Sequence, residues 1–194
     1  MNIATQLMTL EDYLNDTDET DTRRELEDGE LRIIPPESDR NQRIASFLFA
    51  YFLQLGIPFD RVRIGTEIAV SGTRATVRLP DLMVLSEELA GALKEASRST
   101  VILDMPPPEL VVEVVSPGKA NEDRDYRYKR SQYQARGIEE YWIVDPMRQC
   151  LIVLSLVEGL YDGAIFEKET EITSRLLKEW GQKEALTVTQ LLHQ

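Results

Sequence analysis

Leu110-Val111-Val112-Glu113-Val114-Val115 is a near-continuous β-branched run with a single carboxylate set inside it. A run without polar alternation is the pattern of a strand buried on both faces. The chemistry that follows it is helical over residues 121–136, closed by Gly137, and a second buried-type strand is expected over 140–144, containing Tyr141-Trp142-Ile143-Val144. Strand, helix, strand over 110–144 reads as a right-handed βαβ crossover on a central sheet. The expected class is therefore α/β, with a central mixed sheet flanked by helices.

Upstream, Pro106-Pro107-Pro108 punctuates the chain before this strand. Ser86 caps a short helix to about residue 96, with Leu89 and Leu93 inward. Residues 61–70 and 75–85 have strand character on either side of a polar turn at Ser71-Gly72. Ser38 caps a helix running to about Leu55, with Ile44, Leu48, Tyr51, Phe52 and Leu55 on one stripe and Gly56 as its stop. An Asp28-Gly29 turn between alternating runs predicts a β-hairpin over 24–34, ended by Pro35-Pro36. A first helix over 9–14 and a polar loop over 15–22 precede it. Downstream, a strand over 151–156, a further strand, a helix over about 171–180 interrupted by loops, and a short C-terminal helix complete the chain. There is no internal repeat, and 194 residues suit one domain spanning 1–194.

Composition is that of a soluble globular protein, 42% hydrophobic and 29% charged. No run approaches the ~20 apolar residues that cross a bilayer, and the N-terminus has neither a basic start nor an apolar core, so a cytoplasmic location is expected. Cys150 is the only cysteine and His193 the only histidine, which sets aside an intrachain disulfide and a Cys/His zinc site. The net charge of −12 argues against tight, non-specific binding of nucleic acid. It is unevenly spread: residues 11–30 sum to −8, whereas residues 117–137 sum to +3 through Lys119, Arg124, Arg127, Lys129, Arg130 and Arg136. A polyanion would have to approach one face.

Glu113 is the most informative residue. An ionised, unpaired carboxylate amid valines costs several kcal/mol, so it needs a cation or a hydrogen-bonded neutral form. A salt bridge to a basic neighbour is one solution; a metal shared with a second carboxylate is the other. Asp81, after Pro80 and at the start of the apolar run Leu82-Met83-Val84-Leu85, is the candidate partner. Two facing carboxylates repel unless a divalent ion lies between them, and hard oxygen ligands suit Mg²⁺. Asp125, Lys129 and Tyr133 recur every four residues and share one helix face, either as an ordinary surface pair or as a face turned back over the sheet. Tyr126, Tyr128 and Tyr133 fit packing better than contact with sugar-phosphate.

Pro80-Asp81, Glu113-Val114-Val115-Ser116-Pro117, Asp125-x-x-x-Lys129-x-x-x-Tyr133 and the segment from Gly137 to Pro146 occur in this order. Together they resemble a widespread bacterial family of candidate restriction endonucleases, long catalogued as a domain of unknown function, within the PD-(D/E)XK nuclease superfamily. The similarity extends to residues 25–31, Leu160-Tyr161 and Leu186-Thr187-Val188, nearly the full chain. The resemblance implies a restriction-endonuclease-like core and a Mg²⁺-dependent (or Mn²⁺-dependent) endonuclease that hydrolyses DNA phosphodiester bonds. Asp81, Glu113 and Lys129 would be catalytic, and Asp81, Glu113, the Val114 carbonyl and Glu25 would hold the metal. Glu25 would complete that shell or be no more than a surface charge of the hairpin. The superfamily's usual lysine lies two residues after the glutamate; here Val115 occupies that position, and Lys129 on the next helix is the replacement. Arg124, Arg127, Arg130 and Tyr133 would touch the nucleic-acid backbone. A homodimer is implied, since cutting two strands needs two sites. Family members usually carry a histidine at the start of the long N-terminal helix, where this chain has Asn41. The competing readings are a non-catalytic nuclease-like module that binds DNA or protein, and a metal-dependent hydrolase of smaller phosphodiesters. The absence of a P-loop argues against an NTPase.

Overall fold

The computed structural model describes residues 7–16 and 22–193. In chain order, α1 (Leu10–Asn15) is followed by a hairpin of β1 (Arg24–Glu27) and β2 (Glu30–Ile33), then α2 (Asp39–Gln54), β3 (Val62–Arg63), β4 (Glu67–Val70), β5 (Thr76–Arg78) and β6 (Leu82–Val84). Next come α3 (Glu87–Lys94), β7 (Thr100–Val101), β8 (Leu110–Val114) and α4 (Lys119–Asp123). A π-helical segment (Arg124–Lys129) joins α4 to α5 (Arg130–Arg136). β9 (Glu140–Asp145), β10 (Cys150–Val157), β11 (Leu160–Glu167), α6 (Arg175–Glu179) and α7 (Val188–Leu192) end the described chain.

The strands form a six-stranded sheet, β11-β10-β9-β8-β6-β3, and a five-stranded sheet, β2-β1-β5-β4-β7. Both are mixed. β8 and β9 are parallel neighbours, Leu110 opposite Glu140, and α4, the π-helical segment and α5 form the crossover between them. The valine run lies at the middle of the larger sheet and is buried throughout. Its even-numbered residues, Leu110, Val112 and Val114, face a core with Ile44, Leu48 and Phe52 of α2 and Leu191 of α7. Its odd-numbered residues, Val111 and Val115, face Tyr133 of α5, Tyr141 of β9, and Ile68 and Val70 of the smaller sheet. The period-2 alternation of a strand thus sends Glu113 into the second layer, beneath α5.

Local signals explain most element ends. Thr9, Ser38, Ser86, Ser174 and Thr187 each accept a backbone N–H at a helix start. Asp28 and Gly29, with φ of 50° and 85°, make the primed turn that the Asp-Gly pair predicts. Gly137 takes a left-handed conformation at the end of α5.

Three expectations need correction. The strand expected over 61–70 is two strands, β3 in the larger sheet and β4 in the smaller, because the chain changes sheets at Ile64-Gly65-Thr66, where Gly65 has φ 74°. The strand expected over 75–85 likewise divides into β5 and β6, broken at Leu79-Pro80-Asp81, where proline cannot donate to a ladder. The helix expected within 171–180 is confined to α6, since Glu171 bridges Thr187 as extended chain and Ser174 sets the start. Most of the loop expected over 15–22 falls outside the described residues. No helix among the described residues is long and apolar enough to cross a membrane.

Candidate active site

The break at Pro80-Asp81 builds the first part of the site. In the β6–β8 pairing Leu82 lies opposite Val112, so a continued ladder would set Pro80 opposite Val114. The ladder stops there, and the Asp81 side chain takes over: its Oδ2 accepts the Val114 N–H at 2.7 Å. Asp81 is thereby fixed at the end of β8, one residue past Glu113.

Glu113 is 4% exposed, and both its oxygens accept hydrogen bonds. Lys129 Nζ lies 2.8 Å from Oε2, and the Tyr133 hydroxyl donates to Oε1 at 2.7 Å. Asp125, Lys129 and Tyr133 are all buried, so the shared face inferred from their spacing is the inner one rather than a solvated surface. Lys129 Nζ also stands 3.6 Å from Glu25 Oε1 and 3.6 Å from Asp125 Oδ1.

Glu25 arrives from β1 and is 4% exposed, which overturns the alternative that it is a surface charge of the hairpin. β5 runs beside β1, with Val77 opposite Leu26, and so brings Arg78 alongside. Arg78 donates to Glu25 Oε2 at 2.9 Å, to Glu27 at 3.1 Å and to Gln132 of α5 at 2.9 Å, and the Leu79 N–H donates to Glu25 Oε1 at 3.0 Å. Both Glu25 oxygens are thus committed to the protein, and what the residue presents to the cleft is a second negative partner for Lys129.

Two residues of the site escape the sequence reading. Glu37, in the loop before α2, lines the same cleft and acts electrostatically on Asp81. Arg78 reads in sequence as an ordinary strand charge; only the pairing of β5 with β1 shows its role. Asn41, in the first turn of α2, has Nδ2 3.3 Å from the Val114 carbonyl, 3.2 Å from Glu37 Oε2 and 3.2 Å from Ser116 Oγ. It tethers the end of β8 to the start of α2.

The cleft wall comprises Arg23, Glu25, Ile34, Glu37, Leu79, Asp81, Glu113, Val114, Arg124 and Lys129. Burial, reinforced by the Glu37 carboxylate, pushes the Asp81 carboxyl up to about 6. Burial also raises Glu113, with Asp125 and Asp81 adding to it against the pull of Lys129. Burial alone would lower Lys129, but Glu113, Glu25 and Asp125 outweigh it and hold the amine above the ordinary lysine value. Lys129 Nζ and the Tyr133 hydroxyl both face Glu113 oxygens, contacts that favour the carboxylate–ammonium form against the effect of burial. Glu25 is raised by burial yet ends at about 2, because Lys129 and Arg78 more than offset it.

Of the residues expected to touch nucleic acid, Arg124 reaches the cleft but also donates to Asp125 at 3.1 Å. Arg127 and Arg130 are exposed, the latter donating to the Tyr161 carbonyl at 3.2 Å. Tyr133 is fully buried with its hydroxyl committed to Glu113, so it offers no surface to a strand. Among the described residues no group of three or more His, Cys, Asp or Glu side chains is gathered so as to hold a metal ion.

The model of the Uma2 family, described as "Putative restriction endonuclease", matches residues 9–189. The chain belongs to the Uma2 family. A solved structure of a putative nuclease belonging to DUF820, from Anabaena variabilis ATCC 29413, is 14% identical and covers 96% of this chain and 98% of that one, with a TM-score of 0.69. At that identity the likeness is one of fold, and the restriction-endonuclease-like arrangement expected from the sequence is shared. No curated protein matches the chain. For this Uma2 member, the match spans every segment that contributes to the cleft.

Proposed function

We propose that the chain is a magnesium-dependent endonuclease that hydrolyses DNA phosphodiester bonds. The observation that carries this reading is the convergence of Asp81, Glu113 and Lys129, from three separate segments, on one polar cleft. The donors are hard oxygens, namely Asp81, Glu113 and the Val114 carbonyl, which suit Mg²⁺ or Mn²⁺. Mg²⁺ keeps several waters and is commonly bound through one or two carboxylates, so a set of three is not needed. Burial, and next the neighbouring Glu37 carboxylate, disfavour a charged Asp81, a conflict that a bound cation would relieve. Asp81, Glu113 and the Val114 carbonyl would hold the ion, which would supply an acidified water and charge to offset that of the attacked phosphate.

The chain's own residues supply the remainder. The Val114 N–H fixes one Asp81 oxygen, and Tyr133 fixes one Glu113 oxygen. Lys129 stays protonated among its carboxylates, so it acts as a positive charge beside the phosphate and not as a base. Arg124 at the cleft wall contacts the backbone without reading sequence. Cleavage of both strands needs two such sites, and the proposal therefore includes a homodimer, checked by sedimentation.

Asp81→Ala and Glu113→Ala should each abolish Mg²⁺-dependent cleavage of plasmid DNA with the melting transition still cooperative; undiminished cleavage by either variant removes the assignment. One observation favours a second reading: Lys129 and Tyr133 already saturate Glu113, as in a nuclease-like fold used only for binding. Calorimetric titration with Mg²⁺ and Mn²⁺ separates the two. Millimolar or tighter binding that Asp81→Ala weakens supports the nuclease, whereas no heat of binding supports the module.

A further inference from the structure

A second groove adjoins the acid cleft. Arg23 and Leu79 belong to the walls of both, and beyond them the second groove is lined by Arg24, Arg98, Tyr13, Glu67 and Ser99. A phosphodiester strand approaching Glu25, Glu37, Asp81 and Glu113 meets unfavourable potential, so it needs cations beside the cleft. The groove has three arginines in its wall, on a chain whose net charge is −12.

Its arginines differ in how they are held. Arg98 stacks over the Tyr13 ring, 4.6 Å from the centroid. Its Nε and one terminal nitrogen donate to Glu67 at 3.0 Å, and the other terminal nitrogen donates to the Tyr13 carbonyl at 3.0 Å. Three of the five guanidinium donors are used, and the planar group is fixed in place with two left. Arg24 pairs with Asp16 at 2.9 Å. Arg23, at the junction of the two grooves, forms no ion pair with a carboxylate among the described residues, and it lines the same wall as Glu25, Glu37 and Asp81.

We propose that this groove binds the backbone of the substrate strand on one side of the cleavage point, with Arg23 holding the phosphate nearest the cleft. The proposal rests on the nuclease reading and extends it to the path of the strand. A phosphate contact fixes register and orientation without selecting sequence, and it leaves a signature in salt dependence, because each neutralised phosphate releases counterions.

The test is fluorescence anisotropy with labelled duplex and single-stranded oligonucleotides, in magnesium, on a Glu113→Gln background that keeps the DNA intact. Arg23→Ala should weaken binding roughly three- to tenfold at about 50 mM salt, and should flatten the slope of log affinity against log salt by about 0.9 for duplex or about 0.7 for a single strand. Arg23→Lys should keep the slope. Lys94→Ala, an exposed lysine outside both grooves, should match the background. An unchanged melting temperature for Arg23→Ala excludes a folding effect. If DNA binds and Arg23→Ala is indistinguishable from the background in affinity and slope, the groove assignment is wrong while the nuclease reading stands. If no DNA of either form binds at low salt, both fall together. The two oligonucleotide arms decide whether the groove takes a single strand or one strand of a duplex.

Discussion

Two clusters in this molecule are built from the same parts. Around Glu67, the Tyr13 hydroxyl donates to one oxygen at 2.6 Å and Arg98 supplies the positive charge; around Glu113, the Tyr133 hydroxyl donates at 2.7 Å and Lys129 supplies the charge. The difference lies in what surrounds them. Arg98 grips both Glu67 oxygens, and the Thr100 hydroxyl adds another donor at 2.6 Å, so that cluster is satisfied within itself. Lys129 is a point charge shared among Glu113, Glu25 and Asp125, with Asp81 close enough to raise Glu113 further. The first arrangement closes a structural joint between α1 and the smaller sheet. The second leaves negative charge for something else to neutralise, and that is what separates a candidate site from a buried ion pair.

The comparison can be broken most directly at Lys129. Lys129→Met should lower cleavage by about 10²- to 10³-fold, the effect of losing one preorganised charge beside the reacting phosphate, with metal binding retained in calorimetry. A loss of metal affinity at unchanged turnover would show that the lysine holds the acids and does not serve the phosphate.

Acid should expose the opposite behaviour at Glu25. Its folded pKa, about 2, lies below the ordinary 4.5, so its contribution to stability is fully present above about pH 5 and disappears as pH falls through 2. The shift corresponds to about 3 kcal/mol. Chemical denaturation between pH 6 and pH 2 should show that loss in the wild type and a flatter profile in Glu25→Gln; parallel profiles would mean that Lys129 and Arg78 do not hold this carboxylate ionised.

The smallest effect separates the two glutamates. Glu67→Gln leaves the Arg98 fork poorly matched and should cost about 2 kcal/mol, discounted for partial exposure. Glu113→Gln removes one acid from a crowd of acids and leaves Lys129 the carboxylates of Glu25 and Asp125, so it should cost less than Glu67→Gln. Equal costs in urea denaturation would erase the distinction between the satisfied and the under-compensated cluster.

How much of this was legible in sequence follows from the range of the interactions. The valine run, the Asp-Gly turn and the capping Ser and Thr residues are local signals, and β8, the hairpin and the helix starts follow from them. The carboxylate inside the valine run showed that Glu113 needs a partner. Asp81 and Lys129 as its companions rested on the resemblance to the family, since the residues alone also allowed a plain salt bridge and a surface pair. The two changes of sheet were not legible, since strand propensity says nothing about which sheet a strand joins, although Pro80 marked one of the breaks. β7, two residues long, pairs with β4 and has no period to detect. Glu37 and Arg78 look like ordinary charges until β5 is set beside β1 and the loop before α2 is folded against the end of β8. Tyr133 was legible as a packing residue, but its hydroxyl bond to Glu113 was not.

The π-helical segment has a bearing on where the ammonium ends up. A lysine two residues after Glu113 would be aimed by strand register, on the same side of the strand as the carboxylate. Here that position is Val115, packed under α5, and the charge descends from the overlying helix instead. Its aim depends on angular phase, with each residue of an α-helix turning the chain by roughly 100°, and the widened turn over Arg124–Lys129 sets that phase. Shortening the turn by a single residue would swing whatever lies ahead of it by more than a quarter of a revolution relative to Tyr133, leaving the strand-borne acids where they are.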